Sequence, residues 1–382
     1  MKSFNKFNKI IAAAIGLIAA PYMSVAQSEK SINVVTTAVP FLSISPDARA
    51  GGMGEAGIAT DPDANAVFRN LAKMPFTESK SGVGATYSPW LRKLGLNDVY
   101  LTTLSGYTKL DDNQAISASL RYFSMGNIGF TDNMGNQLGS ARPREFSIDA
   151  GYSRKLSERM GLAIALRYIN SNLTGGRTIG QTTYKTGNAV AGDLSLYYNA
   201  QNVDGQGWSF GAAMTNIGSK IGYTTDASQK DFIPANLGLG VAYTKVYDEQ
   251  NKISFGLDVN KLMVPTPPAS GDSMALVNYR NKGVVNGLFS SFGDAPGGFS
   301  EELKEFQIGG GLEYTYNNQF AARAGYFHEN KTKGNRQYFT VGAGIRYNIV
   351  GVNFSYIIPS GSGINENPLS NTLRFSAVID IK

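Results

Sequence analysis

The chain of 382 residues has no cysteine and a single histidine, His328. The lack of cysteine excludes a disulfide framework, a thiolate zinc site, a cysteine nucleophile and a lipoprotein anchor. One histidine excludes the common metal sites built from several histidines, and any Ser-His-Asp hydrolase would depend on His328 alone. We therefore expect neither a metal nor a cofactor.

Charge and long apolar runs are also scarce. Charged residues make up 17% of the chain, whereas a soluble domain usually has about a quarter. After the first 26 residues, no run comes near the roughly 18 apolar residues of a membrane helix. Basic residues exceed acidic ones by only six and form no block, which argues against a nucleic-acid partner. With 44 glycines and 20 tyrosines, the composition indicates β-structure in an unusual solvent.

The first 26 residues have the pattern of a secretory signal, and we expect the mature chain to begin at Gln27. The apolar stretch of this segment is too short to span a bilayer. The basic region contains Lys2, Lys6 and Lys9, and the apolar region is Ile10–Ala20. The cleavage pattern of small residues is Ser24–Ala26.

Beyond residue 80, bulky apolar residues alternate with small or polar ones. In the segment 161–168, for example, Leu162 and Leu166 share one face while Arg167 lies on the other. Such period-two segments of about ten residues are typical of strands that cross an outer membrane. We predict an all-β fold, a transmembrane antiparallel β-barrel of about fourteen strands. The strands are expected near 81–90, 98–107, 114–124, 144–154, 160–170, 188–199, 207–216, 235–247, 252–261, 305–316, 319–328, 336–348, 350–358 and 371–381.

Two regularities favour a barrel over the alternative of a secreted soluble β-protein. Mid-strand charges share a face with glycine, alanine and serine, as expected of a crowded lumen. Basic and acidic residues on this face are nearly equal in number, which indicates paired charges. A conducting channel would instead have a ring of charges of one sign. The connections alternate between short and long, as periplasmic turns and external loops do. The charged lumen residues are Arg121, Asp149, Arg167, Asp193, Asp258, Glu313, Arg323, Arg346 and Arg374.

The segment 27–80 lacks strand alternation but is too apolar for a disordered tail. It has four prolines and the cluster Gly51-Gly52-Met53-Gly54, and residues 66–74 are predicted to form one short helix. We expect it to fold inside the lumen as a hatch. The expected organisation is a signal peptide at 1–26, an N-terminal hatch at 27–80, and a barrel at 81–382 with long extracellular loops, notably 262–304.

The hatch carries a family resemblance. The runs SPDARAGGMGEAGIA at 45–59 and DPDANAVFRN at 61–70 resemble the N-terminal signature of the PorV family of type IX secretion outer-membrane proteins, itself similar to FadL-like barrels. Leu71 stands where the wider group usually has proline. The resemblance implies an outer-membrane adaptor or shuttle that binds the C-terminal signal domain of cargo leaving the translocon and delivers it to the cell-surface attachment complex.

The same resemblance implies the partners. They are the large type IX translocon channel protein, the C-terminal signal domains of secreted cargo, the cell-surface sortase and attachment complex, and outer-membrane lipid or lipopolysaccharide.

The loop 262–304 is the expected interaction surface, because it combines prolines with aromatic residues and residues 285–292 could form a helix. Exposed aromatics on such a loop form either a partner site or a folded cap over the barrel mouth. The loop 217–234 could extend this surface. The candidate partner-binding residues are Tyr279, Phe289, Phe292, Phe299, Tyr223 and Phe232.

Two alternatives to the adaptor stay open. One is a FadL-like transporter of a hydrophobic small molecule, with an apolar pocket between hatch and wall. The other is a lipopolysaccharide-modifying enzyme with His328 as its base, but no nucleophile motif accompanies this histidine. We expect no enzyme and no catalytic residues.

Overall fold

The computed structural model describes residues 34–92, 95–131, 134–179, 182–226, 229–268, 271–358, 369 and 371–382. The expected signal peptide at 1–26 lies outside these described residues, as do positions 27–33 of the expected hatch.

Within the described residues, fourteen antiparallel strands form a closed barrel in which each strand pairs with its neighbours in the chain and β1 pairs with β14. The predicted all-β barrel is therefore confirmed, and each strand lies where the alternation placed it. The strands are β1 Ser81–Pro89, β2 Val99–Lys109, β3 Gln114–Met125, β4 Arg144–Lys155, β5 Met160–Asn172, β6 Gly187–Asn199, β7 Gly207–Gly218, β8 Asn236–Val246, β9 Asn251–Leu262, β10 Phe306–Tyr316, β11 Phe320–His328, β12 Gln337–Tyr347, β13 Val350–Ile357 and β14 Leu373–Ile381.

The two faces of the wall differ as the sequence pattern predicts. Asp149 on β4 lies opposite Arg167 on β5, and both side chains are buried in the lumen. On the same strand Leu166 points outward and is 74% exposed. Successive side chains of a strand face opposite sides of the sheet, so one strand can present leucine to lipid and arginine to the interior.

The connections alternate in length along the barrel. Tight turns join β10 to β11 and β12 to β13, with Asn317, Asn318 and Asn348 each at φ 52°. Asparagine tolerates this left-handed backbone, which suits tight hairpins. The long connections carry short hairpins (Ile128–Thr131 with Gln137–Ala141, Thr178–Ile179 with Thr182–Thr183, and Ile221–Gly222 with Lys230–Asp231).

Short helices occupy the hatch and the longest loop. The loop between β9 and β10 contains α2 Ser273–Asn281, α3 Val284–Ser290, α4 Phe299–Glu302 and a 3-10 turn, Leu303–Glu305. The hatch contains α1 Ala48–Gly52 and the 3-10 helices Pro40–Ser43, Ala64–Phe68 and Leu71–Phe76. None of the helices in the described part of the chain is long and apolar enough to cross a membrane.

The single helix predicted at 66–74 is instead two 3-10 helices. Asn70 separates them in an extended conformation, and its side chain accepts a hydrogen bond from the amide of Ala72. An asparagine that caps the start of a new helix interrupts the previous one, because its side chain competes with the backbone carbonyls.

Candidate functional site

The hatch, residues 34–80, contacts every one of the fourteen barrel strands from inside. Its hydrogen bonds reach opposite walls. The Thr103 hydroxyl on β2 donates to the carbonyl of Pro46 at 3.0 Å, and Ser209 on β7 donates to that of Ala59 at 2.7 Å. The hatch is therefore bonded to opposite sides of the barrel wall, and it occupies the lumen.

Wall glycines set how closely the hatch approaches. A Cβ atom on Gly311 of β10 would lie 2.6 Å from the Cα atom and carbonyl oxygen of Met53. One on Gly240 of β8 would lie 2.7 Å from the Cβ atom of Ile58. Backbone packs directly against backbone at such places, which only glycine permits.

The hatch also completes the charge pairing of the wall. The Arg49 guanidinium donates to both carboxylate oxygens of Glu313, at 2.7 and 3.0 Å, and Arg323 on β11 donates to the same carboxylate at 2.5 Å. On the other side, Arg374 of β14 donates to Glu55 at 2.9 Å. Removing one partner of such a buried pair is costly, so these pairs lock the hatch to the wall.

Other lumen charges pair within the wall or with hatch amides. Arg167 forms ion pairs with Asp149 and Asp193, the second at 2.9 Å. Between Gly192 and Leu194 the register against β7 shifts, and Asp193 also accepts the amide of Asn216 at 2.7 Å. Asp258 accepts the amides of Gly57 and Ile58 at 2.7 and 2.9 Å. Sequence reasoning predicted paired charges but missed the hatch partners Arg49, Glu55 and Arg69, because nothing local ties them to distant strands.

A cavity of about 120 Å³ lies between the hatch and the strand ends that carry the long loops. Its floor is the hatch segment from Leu42 to Pro46, together with Phe68. Its wall is polar. The charged and amide side chains that line it are Glu55, Arg69, Arg121, Arg167, Asn216, Asn236, Asn260, Gln307, Arg336 and Arg374.

The long loop 263–305 folds into a cap of short helices. The inner face of α3 packs against the barrel mouth, where buried Leu288 joins Ala235 and Met263 in one apolar cluster. Gly287 faces the ring of Phe232, leaving no room for a side chain. At the end of the loop, Lys261 binds Glu302 and Glu305, at 3.2 and 2.5 Å, which fastens the cap to β9.

The outer face of the cap is apolar. Val285 and Phe289 lie one turn apart on the same face of α3, and Phe292 lies in the turn that follows this helix. Phe289 is 76% exposed and Phe292 is 44% exposed. Phe299, at the start of α4, is also 76% exposed. The three predicted phenylalanines thus reach solvent at the long-loop end of the barrel.

The other three predicted residues lie beneath this surface. Phe232 is 5% exposed, its ring 5.5 Å from that of Tyr279 and 3.9 Å from the Lys220 ammonium. Burial raises the pKa of Tyr279 to about 12. Tyr223 donates to the Ser171 hydroxyl at 3.0 Å, and burial likewise raises its pKa to about 12. Phe232 supports the cap from inside, and Tyr223 fastens the loop between β7 and β8 to the end of β5.

His328 ends β11, 6.4 Å from the ring of Tyr326. The carboxylate of the adjacent Glu329 accepts hydrogen bonds from Gln307 at 2.9 Å and from Arg336 at 2.8 Å. Groups of three or more histidine, aspartate or glutamate side chains that could hold a metal are not found in the described ranges.

A closed fourteen-stranded antiparallel barrel with an apolar exterior and a hatch in its polar lumen defines an outer-membrane β-barrel protein. The family model described as type IX secretion system protein PorV matches residues 26–269, more than half of the chain. The chain belongs to this family, and the predicted PorV resemblance with its FadL-like barrel is confirmed. Its location is the bacterial outer membrane.

Solved structures with similar folds include transporters and channels. The toluene transporter TodX of Pseudomonas putida has a TM-score of 0.50 and 12% identity, over 91% of this chain and 98% of TodX. The CymD monoaromatic hydrocarbon channel has the same score and identity, over 88% of this chain and 98% of CymD. Likeness at this identity shows the fold alone. Curated proteins include no match to this chain.

Proposed function

We propose that the protein is an adaptor and shuttle of type IX secretion. It binds the C-terminal signal domain of cargo leaving the translocon and delivers it to the cell-surface attachment complex. The observation that carries this proposal is the PorV family match together with the outward phenylalanines of the cap. A lumen occupied by the hatch fits a carrier better than a conduit for protein.

The proposed partners follow from the same role. They are the large translocon channel protein, the signal domains of cargo, the sortase-containing attachment complex, and outer-membrane lipid or lipopolysaccharide. Removal of the signal segment after Ala26 stays a prediction.

The proposed contact surface is the outer face of the cap. A few large apolar anchors dominate the binding energy of most interfaces, and exposed aromatic groups are suited to that role. Phe289, Phe292 and Phe299 are the proposed anchors, and half-buried Tyr279 contributes at their edge. Phe232 and Tyr223 would act through them, by holding α2 and the neighbouring loop in place.

The transporter alternative has less support. Sites for hydrophobic small molecules are usually apolar and span roughly 300–1,000 Å³. The cavity above the hatch is about 120 Å³, and arginines and amides line it together with apolar side chains such as Ile58, Leu262 and Phe327. The enzyme alternative would need a nucleophile beside His328.

The test replaces Phe289, Phe292 and Phe299 together with serine. We expect the barrel to assemble normally, while cargo display at the cell surface falls at least tenfold by surface labelling. The matched control replaces Leu110, Leu156 and Val203, exposed apolar residues on short turns at the opposite end, and should display cargo normally.

Uptake of a hydrophobic solute should not change in either variant, and His328→Ala should alter neither process. Normal cargo display by the phenylalanine variant, at normal barrel abundance, would remove the cap from the mechanism. Normal display after deletion of the whole protein would refute the adaptor role.

A further inference from the structure

We propose that the cavity above the hatch is a binding site for an oxyanion of the phosphate or sulfate type, either free in solution or carried as a phosphate group by a lipid. The proposal is independent of the adaptor function. It stands on the charge, the unused donors and the position of the cavity.

Basic side chains outnumber acidic ones in the lining of the cavity, and each of them except Arg121 also pairs with a carboxylate of the described residues. Five guanidinium groups line the cavity, and Glu55 is the one acidic residue among the described residues of its lining. The carboxylates that pair with two of these arginines, Asp193 with Arg167 and Glu329 with Arg336, do not line the cavity. Their negative charge therefore lies outside the lining while the guanidiniums line the space.

Several of these guanidiniums have N–H donors without a hydrogen-bond partner among the described residues. A guanidinium carries five N–H donors in a planar fork that suits phosphate and carboxylate. The Nε atoms of Arg69, Arg121 and Arg374, and Nη1 of Arg374, have no hydrogen-bond partner in the described part of the chain. Buried donors of this kind usually find a partner, and three of the five guanidiniums that line the cavity hold at least one donor without a partner.

Arg121 is the buried guanidinium of the lining that lacks a carboxylate partner among the described residues. Its side chain is 4% exposed, and it donates only to backbone carbonyls, to Leu42 at 2.8 Å and Phe68 at 3.4 Å. The Phe68 ring lies 4.8 Å from its guanidinium carbon. No carboxylate of the described residues pairs with it, whereas neighbouring Arg167 has two. An unpaired buried charge is costly, and an oxyanion in the cavity would supply its counter-charge.

The size of the site fits a small ion. A cavity of about 120 Å³ accommodates one tetrahedral oxyanion with a few waters but leaves no room for an acyl chain. Lipid could therefore present only its phosphate group from the barrel mouth. The side chains of Asn216 and Asn260 line the same space and could orient the ligand by hydrogen bonds.

The experiment measures binding of radiolabelled inorganic phosphate to the purified full-length protein in detergent, by equilibrium dialysis at constant ionic strength in chloride buffer. We expect saturable binding with one site per chain, competed by sulfate. Arg121→Gln should weaken binding at least tenfold, and Arg121→Lys, which keeps the charge but loses the fork, should weaken it less. The control is Arg346→Gln, because Arg346 pairs with Asp380, is partly exposed and does not line the cavity.

Competition by phosphatidic acid in mixed micelles distinguishes the source. If it displaces phosphate with the same dependence on Arg121, the group is carried by lipid; if it does not, the ligand is the free ion. Binding that never saturates in the wild-type protein, or that is equal in wild type and Arg121→Gln, would overturn the proposal. Heat-modifiability on gels verifies that each variant is a folded barrel.

Discussion

Substitution of Gly311 by alanine tests whether close backbone packing seats the hatch. The new Cβ atom would lie 2.6 Å from the Cα atom and the carbonyl oxygen of Met53, whereas ordinary contact begins at 3.4 Å. The hatch would have to retreat by about 0.8 Å, and overpacking of this kind typically costs about 1–3 kcal/mol. A cost near 2 kcal/mol changes the ratio of seated to unseated hatch by roughly 30-fold.

The control is Gly351→Ala on β13, at a lumen position of the same wall. The nearest atom to its new Cβ, a methyl carbon of Val378, lies 3.8 Å away. Alanine should be tolerated there and could stabilise the barrel by about 0.4–1 kcal/mol, because it reduces the freedom of the unfolded chain.

A single introduced cysteine reports on the seating. The chain has no cysteine of its own, so Thr60→Cys, at a buried hatch position, gives a clean background for thiol labelling. We expect faster labelling and more frequent conductance bursts in planar bilayers for Gly311→Ala than for Gly351→Ala. Equal labelling rates and equal conductance in the two variants would refute the reasoning.

Two further predictions concern the wall and the loops. Leu166→Asp should lower the free energy of unfolding of the barrel, by less than the roughly 2–4 kcal/mol that a basic residue costs at the bilayer midplane. Val203→Asp, on a fully exposed turn, should cost almost nothing. Urea unfolding in vesicles measures both variants, and equal costs would contradict the assigned lipid face. The hydrogen bond from Lys333 lowers the pKa of Glu301 from its ordinary 4.5. The stability that this hydrogen bond contributes is therefore fully present above pH 4.5 and is lost as the pH falls through the lowered pKa. Hydrogen exchange in residues 329–336, corrected for intrinsic rates, should speed up in acid. Glu301→Gln should reduce this dependence without removing it, because Lys333 also binds Glu305 at 3.0 Å. A profile that Glu301→Gln leaves unchanged would exclude the contact as a tether.

The barrel was predictable from local patterns. Period-two alternation needs only neighbouring residues, so strands such as β9 and β10 could be placed within a residue or two. The hatch was different. Arg49 and Glu313 lie 264 positions apart, and no local signal joins them. The helical break at Asn70 was also missed, because a capping asparagine in an apolar stretch looks like part of one helix.

The candidate surface was predictable in part. Phenylalanines in a proline-rich external loop indicated exposure, and Phe289 and Phe299 are indeed exposed. Phe232 has the same residue type in a similar loop, yet α3 and the Lys220 ammonium cover it. The packing of two loops against each other decides which aromatic side chain becomes buried. A single sequence does not reveal this packing.

The hatch precedes β1 in the chain, and β1 also forms the final seam of the barrel with β14. A cylinder that closed before the hatch had docked would enclose Arg374, Glu313 and Asp258 without their hatch partners. We therefore expect the hatch to dock before β1 pairs with β14. Defects in the hatch should consequently appear as barrels lost during assembly, before they appear as leaks in barrels that are finished.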